Sequence, residues 1–408
     1  MSSFDNLLTE YTSPTSPKIH GLITQCIDKT GTILQTKTSG STSFPPSSAP
    51  PTPKTVLRLG SATKLLTTIA LLQCIDRHLL TLDTPLTPHL LPELADAQIL
   101  IRVDDDGGGG ECSFAPRGTE LTARHLLTHT SGLAYPFTHR LLMQRAQARA
   151  RAGIPRSLRV VERYRVPVVF EPGEGWVYGC GVDWAGVLVS RLNGGVSLEE
   201  YMVENIWKVL GLEAPFPRFN IMNHPEYEAR AMQGAAIGAE GGLEACEVWD
   251  FDNAVDQEGG AGLAATTEDF VRVLGDLVAE EPRLLGKGVV EEMFAPQLVP
   301  GSKSVEMLME LKIATDAVAG PISGDAANHG LGGMLCTGDV PEIGQPKGTL
   351  VWGGASNVIW WANRDLGVAG FFATQISPFG HPTVTKLVNA WKKDFWTNYN
   401  EKRGSQVD

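Results

Sequence analysis

The chain has 408 residues, 42% hydrophobic and 20% charged, with a formal net charge of −12 and a pI near 5.3. That length exceeds what one compact core usually holds, and the composition is that of an ordinary globular protein, so two subdomains or one large composite domain is expected. The acidic balance argues against nucleic acid as a partner, and no window approaches the ~18 uninterrupted apolar residues of a membrane span.

The start, Met1 to Asn6, has neither the basic residues nor the apolar run of an export signal. Gly21 to Asp28 reads as a strand, Asp28 to Gly31 as a turn, and Ile33 to Thr36 as the returning strand. The Ser- and Pro-rich stretch from Ser39 to Pro53 predicts an exposed loop, after which Val56 to Leu59 resumes a strand-like pattern. From Ser61 to about His78, Leu65, Ile69, Leu72 and Ile75 recur at helical spacing. Ser61 lies three positions before Lys64, so the two side chains share a face of that helix start. A serine hydroxyl is a poor nucleophile until a neighbour takes its proton, and an amine one turn away is a candidate. Taken alone, the pair reads more readily as an N-cap and a solvated lysine; the other motifs of the chain overturn that reading.

Leu80 to Leu86 predicts a turn. Asp104 to Gly110 is acidic and glycine-rich, but no Gly-Lys-Ser/Thr follows, so it predicts a surface loop and not a phosphate cradle. The stretch Arg140 to Arg165 is Arg- and Ala-rich and helical at least to Gly153. In so acidic a chain its basic face, with Arg145, Arg149, Arg156, Arg159 and Arg163, is suited to an acidic partner. Glu174 to Leu212 predicts mixed loop and helix, and Asp269 to Leu277 a helix capped at Thr266. Thr349 to Trp352, Asn357 to Trp361 and Leu366 to Phe372 read as three strands, with Gly353-Gly354 and Asn363 to Asp365 as the turns. His381 to Phe395 is a closing helix with Val384, Leu387, Val388, Trp391 and Phe395 on one face. A hairpin at one end and three strands at the other predict one antiparallel sheet with a helical insertion, an α+β layout. Six scattered cysteines with no C-x-x-C pair read as buried thiols of a reducing, cytoplasmic compartment.

Four segments in order carry a resemblance: Leu59-Gly60-Ser61-Ala62-Thr63-Lys64, His125 to Leu133 with Thr128-His129-Thr130-Ser131-Gly132-Leu133, Pro172-Gly173-Glu174-Gly175-Trp176-Val177-Tyr178-Gly179, and Trp352-Gly353-Gly354-Ala355. Together the chain resembles the serine β-lactamase-related superfamily, in the class C-like branch that includes carboxylesterases and fungal lovastatin-type acyltransferases. The resemblance implies a β-lactamase-like α+β fold: an antiparallel sheet built from both chain ends (1–70 and about 260–408) and flanked by helices, with a mainly helical part between (about 71–259), in one domain over 1–408. It implies Ser61 as nucleophile, Lys64 as holder or relay of its proton, and Tyr178 as general base with Lys64, since a cation beside a phenol favours its ionised form. It implies an oxyanion hole from the backbone N–H groups of Ser61 and Ala355, and a substrate site at Trp352, Gly353, Gly354 and Tyr135. No cofactor or metal is implied.

Two departures matter. Position 180 is Cys where the β-lactamase pattern has Asn, so the amide that would contact Lys64 is missing. Position 352 is Trp where β-lactamases carry the Lys that grips the β-lactam carboxylate. Both point away from antibiotic hydrolysis. Cys180 reads as a small buried thiol, His129 as a loop-packing residue and not, with His125, a zinc ligand, His329 as core or sheet edge, and Trp360 and Trp361 as core and pocket wall. Acyl transfer of fungal-type secondary metabolism, from a thioester or ester to an alcohol or amine, is the favoured reading, with an acyl carrier protein docking on Arg145, Arg149 and Arg156. Ester hydrolysis by the same residues is the alternative, and a non-catalytic scaffold the third.

Overall fold

A computed structural model describes residues 2–44, 49–104, 111–246 and 254–404. Helix α1 (Ser3–Tyr11) starts from a reciprocal cap between Ser2 and Asp5. The predicted hairpin follows as β1 (Gly21–Asp28) and β2 (Ile33–Gly40). β2 runs past Thr36 to Gly40 because Gln35 to Gly40 pair in register with β1, so the Ser- and Pro-rich segment begins later than expected; its residues 45–48 lie outside the described residues. Next come β3 (Val56–Arg58), a 3₁₀ turn (Gly60–Ala62) and α2 (Thr63–Asp76).

The inserted region holds β4 (Ile99–Asp104), β5 (Glu111–Ala115), α3 (Ala123–Leu127), α4 (Arg140–Arg151), α5 (Val160–Arg163), α6 (Gly181–Leu192), α7 (Leu198–Met202), β6 (Arg218–Phe219), α8 (Pro225–Glu228), β7 (Ala235–Ile237) and β8 (Leu243–Ala245). The glycine-rich loop predicted after Asp104 lies, over 105–110, outside the described residues. The chain returns through β9 (Leu263–Thr266), α9 (Thr267–Val278), α10 (Lys287–Met293), α11 (Lys303–Glu310), α12 (Lys312–Ala319), β10 (Ala327–His329), β11 (Met334–Cys336), β12 (Thr349–Gly354), β13 (Val358–Asn363), β14 (Val368–Ala373), β15 (Ile376–Ser377) and α13 (Pro382–Gly404). Thr266 caps α9 as expected, in a reciprocal box with Asp269. α13 continues well past Phe395, since no Gly or Pro interrupts it before Gly404.

The sheet is antiparallel and seven-stranded, in the order β10-β11-β12-β13-β14-β1-β2, so strands from the two ends of the chain meet at β14 and β1. Alternation along its inner strands feeds two layers. Trp360 and Phe371 face the core shared with α2 and α9, where the Phe270 and Phe371 rings stack at 4.4 Å. Their neighbours Trp361 and Phe372 face α1 and α13, with the Trp361 ring 4.7 Å from that of Trp396. Burying each such ring is worth roughly 1.5–3 kcal/mol. Both tryptophans are fully buried core, and neither is pocket wall.

Three local differences bear on function. The Val56 strand does not join the large sheet; it pairs with β9 in a separate sheet of order β3-β9-β6. Helix α2 is buried on every face, twelve of its fourteen residues, because it runs between α6 and the sheet. Gly353-Gly354 is no turn: both pair within β12–β13, and the reversal comes at Ala355–Asn357 with Asn357 at φ +55°. Asn357 holds that reversal by donating to Ile376 O (2.8 Å) and Pro378 O (3.0 Å) and accepting from Gly380 N–H (2.9 Å).

Candidate active site

Ser61 does not cap the helix that follows it. The N-cap of α2 is Ala62, with no side-chain cap bond, so the Ser61 hydroxyl is available for another partner. Gly60 sits at φ +52°, where a side chain is strained, and a Cβ there would also press on Ala355 N at 2.9 Å. On the facing strand a Cβ at Gly354 would fall 1.8 Å from Leu59 O. Two glycines therefore let the backbone before Ser61 lie directly against the end of β12. The approach is pinned at Arg58: its carbonyl accepts from Ser356 Oγ (2.9 Å) and Gln375 Nε2 (3.2 Å), and its N–H donates to Gln375 Oε1 (3.0 Å). Ser61 and Ala355, the expected oxyanion donors, thus stand on the two stretches that meet.

The Tyr178 hydroxyl donates to Ser61 Oγ at 2.5 Å. Tyr178 comes from the extended segment before α6, which is clamped on both sides. His129 O accepts from Val177 N–H (3.0 Å), His129 Nδ1 accepts from Gly179 N–H (3.4 Å), and the Tyr178 carbonyl accepts from Thr138 Oγ1 (2.6 Å). The His129 ring packs edge-on against Tyr178, centroids 5.0 Å apart. Burial holds His129 well below the usual histidine range, which suits a neutral acceptor. Its backbone is left-handed, φ +59°, unusual for a non-glycine residue.

Lys64 is 1% exposed. Its ammonium donates to Gly260 O (2.8 Å) and Tyr135 Oη (3.1 Å), and lies 4.8 Å from the centroid of the Tyr178 ring. Tyr135, expected at the substrate, is buried behind Lys64 and off the cavity wall, and its hydroxyl donates to Asp183 Oδ2 at 2.6 Å. Asp183 Oδ1 accepts from Gly260 N–H at 2.8 Å. Burial lifts the Asp183 carboxyl to about 6 against the pull of Lys64. Sequence reasoning missed Asp183; its one signal is a lone acid in the apolar helix start Gly181-Val182-Asp183-Trp184. Cys180 turns its thiol to Leu133 O (3.6 Å), and burial pushes it far above the usual thiol range. The lysine contact absent at position 180 is supplied instead by Gly260 O and Tyr135.

A cavity of about 270 Å³ opens onto Ser61 and Tyr178. Trp352, Gly353, Gly354 and Ala355 form one wall; Phe137, Thr138, Trp176, Leu308, Leu311, Ala314, Thr315, Val318 and Phe379 form the rest. Among the described residues, no Asp, Glu, Lys, Arg or His lines it. The Trp352 ring rests on His129 (6.0 Å), Tyr178 (5.5 Å) and His329 (5.8 Å). The walls from α11 and α12 belong to no motif, and only the fold brings them here. His329 is buried in edge strand β10, donates Nδ1–H to Gly330 O at 2.6 Å, and is depressed to about 4 by burial. Among the described residues no cluster of His, Cys, Asp or Glu could hold a metal ion. No described helix is long and apolar enough to cross a membrane.

The expected arginine face is only partly a surface. Arg149 and Arg156 are exposed, Arg145 is half-buried against Cys112, and Arg163 is buried in an ion pair with Glu258 at 3.1 Å.

The chain is similar to known proteins over most of its length. A family model described as Beta-lactamase matches residues 40–391. Acyltransferase calJ of Penicillium decumbens is 56% identical over 417 residues, covering 98% of this chain and 99% of that one. Lovastatin esterase of Penicillium rubens is 31% identical over 405 residues, covering 95% and 97%. The solved structure of a LovD6 mutant of simvastatin synthase (LovD) from Aspergillus terreus superposes with a TM-score of 0.85 at 30% identity, covering 98% of this chain and 97% of that one.

Proposed function

The chain belongs to the beta-lactamase family and is an enzyme of its acyltransferase and esterase branch, and from that premise we propose that it is an acyltransferase of fungal-type secondary metabolism. The observation that carries the reading is the Tyr178–Ser61 hydrogen bond at the mouth of a cavity without a charged side chain. For acylation the Tyr178 hydroxyl first releases to solvent the proton it donates to Ser61; as phenolate it then takes the Ser61 proton while Oγ attacks the carbonyl carbon of a thioester or ester. The carbonyl electron pair moves onto oxygen, where the N–H groups of Ser61 and Ala355 receive it; such a donor is worth about 3 kcal/mol in the transition state. The buried Lys64 ammonium supplies the balancing positive charge beside the Tyr178 ring. As the tetrahedral centre collapses, the thiolate or alkoxide leaves with the proton from Tyr178, and Ser61 is left as an ester. An acceptor alcohol or amine then attacks, gives its proton to Tyr178, and Ser61 takes it back as product departs.

Transfer and hydrolysis share these residues and differ in how well water is kept out. Phe137, Trp176, Leu308, Leu311, Trp352 and Phe379 around the cavity favour an organic acceptor over water. Ester hydrolysis is the second reading, favoured by the lovastatin esterase likeness. Intact-mass analysis after incubation with a panel of acyl thioesters and esters should show one acyl group on the wild type and none on Ser61→Ala. Alcohols should then discharge it faster than water; discharge by water alone decides for the esterase.

A carrier-bound donor fits the remaining basic surface. Arg149 on α4 and Arg156 beyond it are exposed, and α4 begins two residues after the cavity residue Thr138. Arg149→Glu with Arg156→Glu should raise KM for carrier-bound donors several-fold and leave a small thioester unaffected. Equal effects on both donors discard the docking face, including the half-buried Arg145.

A further inference from the structure

A buried ammonium needs a counter-charge, and the groups around Lys64 lead to one carboxylate. Asp183 is fully buried in the first turn of α6. It reaches Lys64 by two routes, each through a group that Lys64 itself holds. One runs from Oδ2 to the Tyr135 hydroxyl (2.6 Å) and on to Lys64 Nζ (3.1 Å). The other runs from Oδ1 to Gly260 N–H (2.8 Å), whose own carbonyl accepts from Nζ at 2.8 Å. A Cβ at Gly260 would fall 2.4 Å from Oδ2 and 2.6 Å from Oδ1, so the carboxylate lies tight against that peptide.

We propose that Asp183 is a positioning residue for acyl transfer, fixing the Lys64 ammonium beneath the Tyr178 ring through Tyr135 and Gly260. The inference rests on the Ser61–Lys64–Tyr178 reading above. Asp183 has no hydrogen bond to Ser61 and does not line the cavity. The titratable groups facing it are Lys64 from α2, Tyr135, Tyr164 after α5, Cys180 before α6, and Glu258, which is bonded to Arg163 and Tyr164. With its carboxyl raised to about 6, Asp183 is ionised above that pH. As pH falls through 6 it takes a proton and stops balancing Lys64, so activity should fall there.

The test uses the full chain with Asp183→Asn, Tyr135→Phe and the double variant. Its readouts are hydrolysis of p-nitrophenyl butyrate and the rate at which a fluorophosphonate labels Ser61. Asp183→Asn should lower kcat about 30-fold or more with KM within about threefold, and should lose the acid limb near pH 6. Tyr135→Phe cuts one route and should slow labelling about tenfold, with the double variant within about threefold of Asp183→Asn because the two act in series. Wild-type kcat in Asp183→Asn, a change in KM alone, or multiplicative losses overturn the proposal. If Asp183→Asn does not fold by thermal melt, Tyr135→Phe decides: labelling at the wild-type rate overturns it. Wild-type labelling that maps to a residue other than Ser61 instead fells the underlying reading.

Discussion

Tyr178 is the one side chain hydrogen-bonded to Ser61 Oγ among the described residues, whereas the bonds of Lys64 run to Gly260 and Tyr135. Spacing had offered Lys64 as a proton acceptor and the resemblance had paired it with Tyr178; these contacts make Tyr178 the stronger candidate for the base. Tyr178→Phe keeps the ring on His129 and removes only the oxygen, so the fold should persist while acylation slows ~10²-fold or more. Burst kinetics with a chromogenic ester measure this, and a loss below about tenfold would return the role to Lys64. Ser61 and Lys64 stood out in the sequence by their three-residue spacing, whereas Tyr178 entered only through the family resemblance, and the structure brings its hydroxyl to Ser61. Tyr135 was expected at the substrate and Asp183 was missed, because their contact joins positions 48 residues apart in the chain.

At the scale of elements, what matters is how closely β12 approaches the turn before α2. Gly354→Ala would set a methyl 1.8 Å from Leu59 O, a backbone atom that cannot swing aside. β12 must then retreat from Ser61 and carry Ala355 with it. Single-turnover acylation should fall about 10²-fold, the usual loss when one oxyanion donor goes, with a cooperative melt retained; unaltered acylation would detach β12 from the chemistry. Strands and helices with a clear period, such as β1, β13, β14 and α9, were visible in the sequence. The glycine pair at 353–354 was misread as a turn because glycine marks both reversals and close backbone contacts, and only the partner strand tells them apart. Helices α11 and α12, which wall the cavity, carry no motif at all.

Across the whole molecule, α13 reaches back under that cavity wall through Lys392. This lysine is fully buried, and its ammonium donates to Gln345 Oε1 (2.9 Å) and to Val318 O near the end of α12. Burial depresses it from 10.5 to about 7. Below pH 7 the folded and unfolded chains both hold the proton, and the fold bears the whole cost of the buried charge. Between pH 7 and 9 the unfolded chain keeps a proton the folded one has shed, so stability rises with pH. Denaturant melts should show wild type improving relative to Lys392→Met across that window; parallel curves would refute it. The meeting of β1 with β14 has a consequence for synthesis. A ribosome that has delivered residues up to about 340 has already released Ser61, Lys64 and Tyr178, yet β12 to β14 have still to emerge. A nascent polypeptide of that length lacks β12 and with it Ala355, so the oxyanion site proposed between Ser61 and Ala355 can assemble only once the last strands arrive.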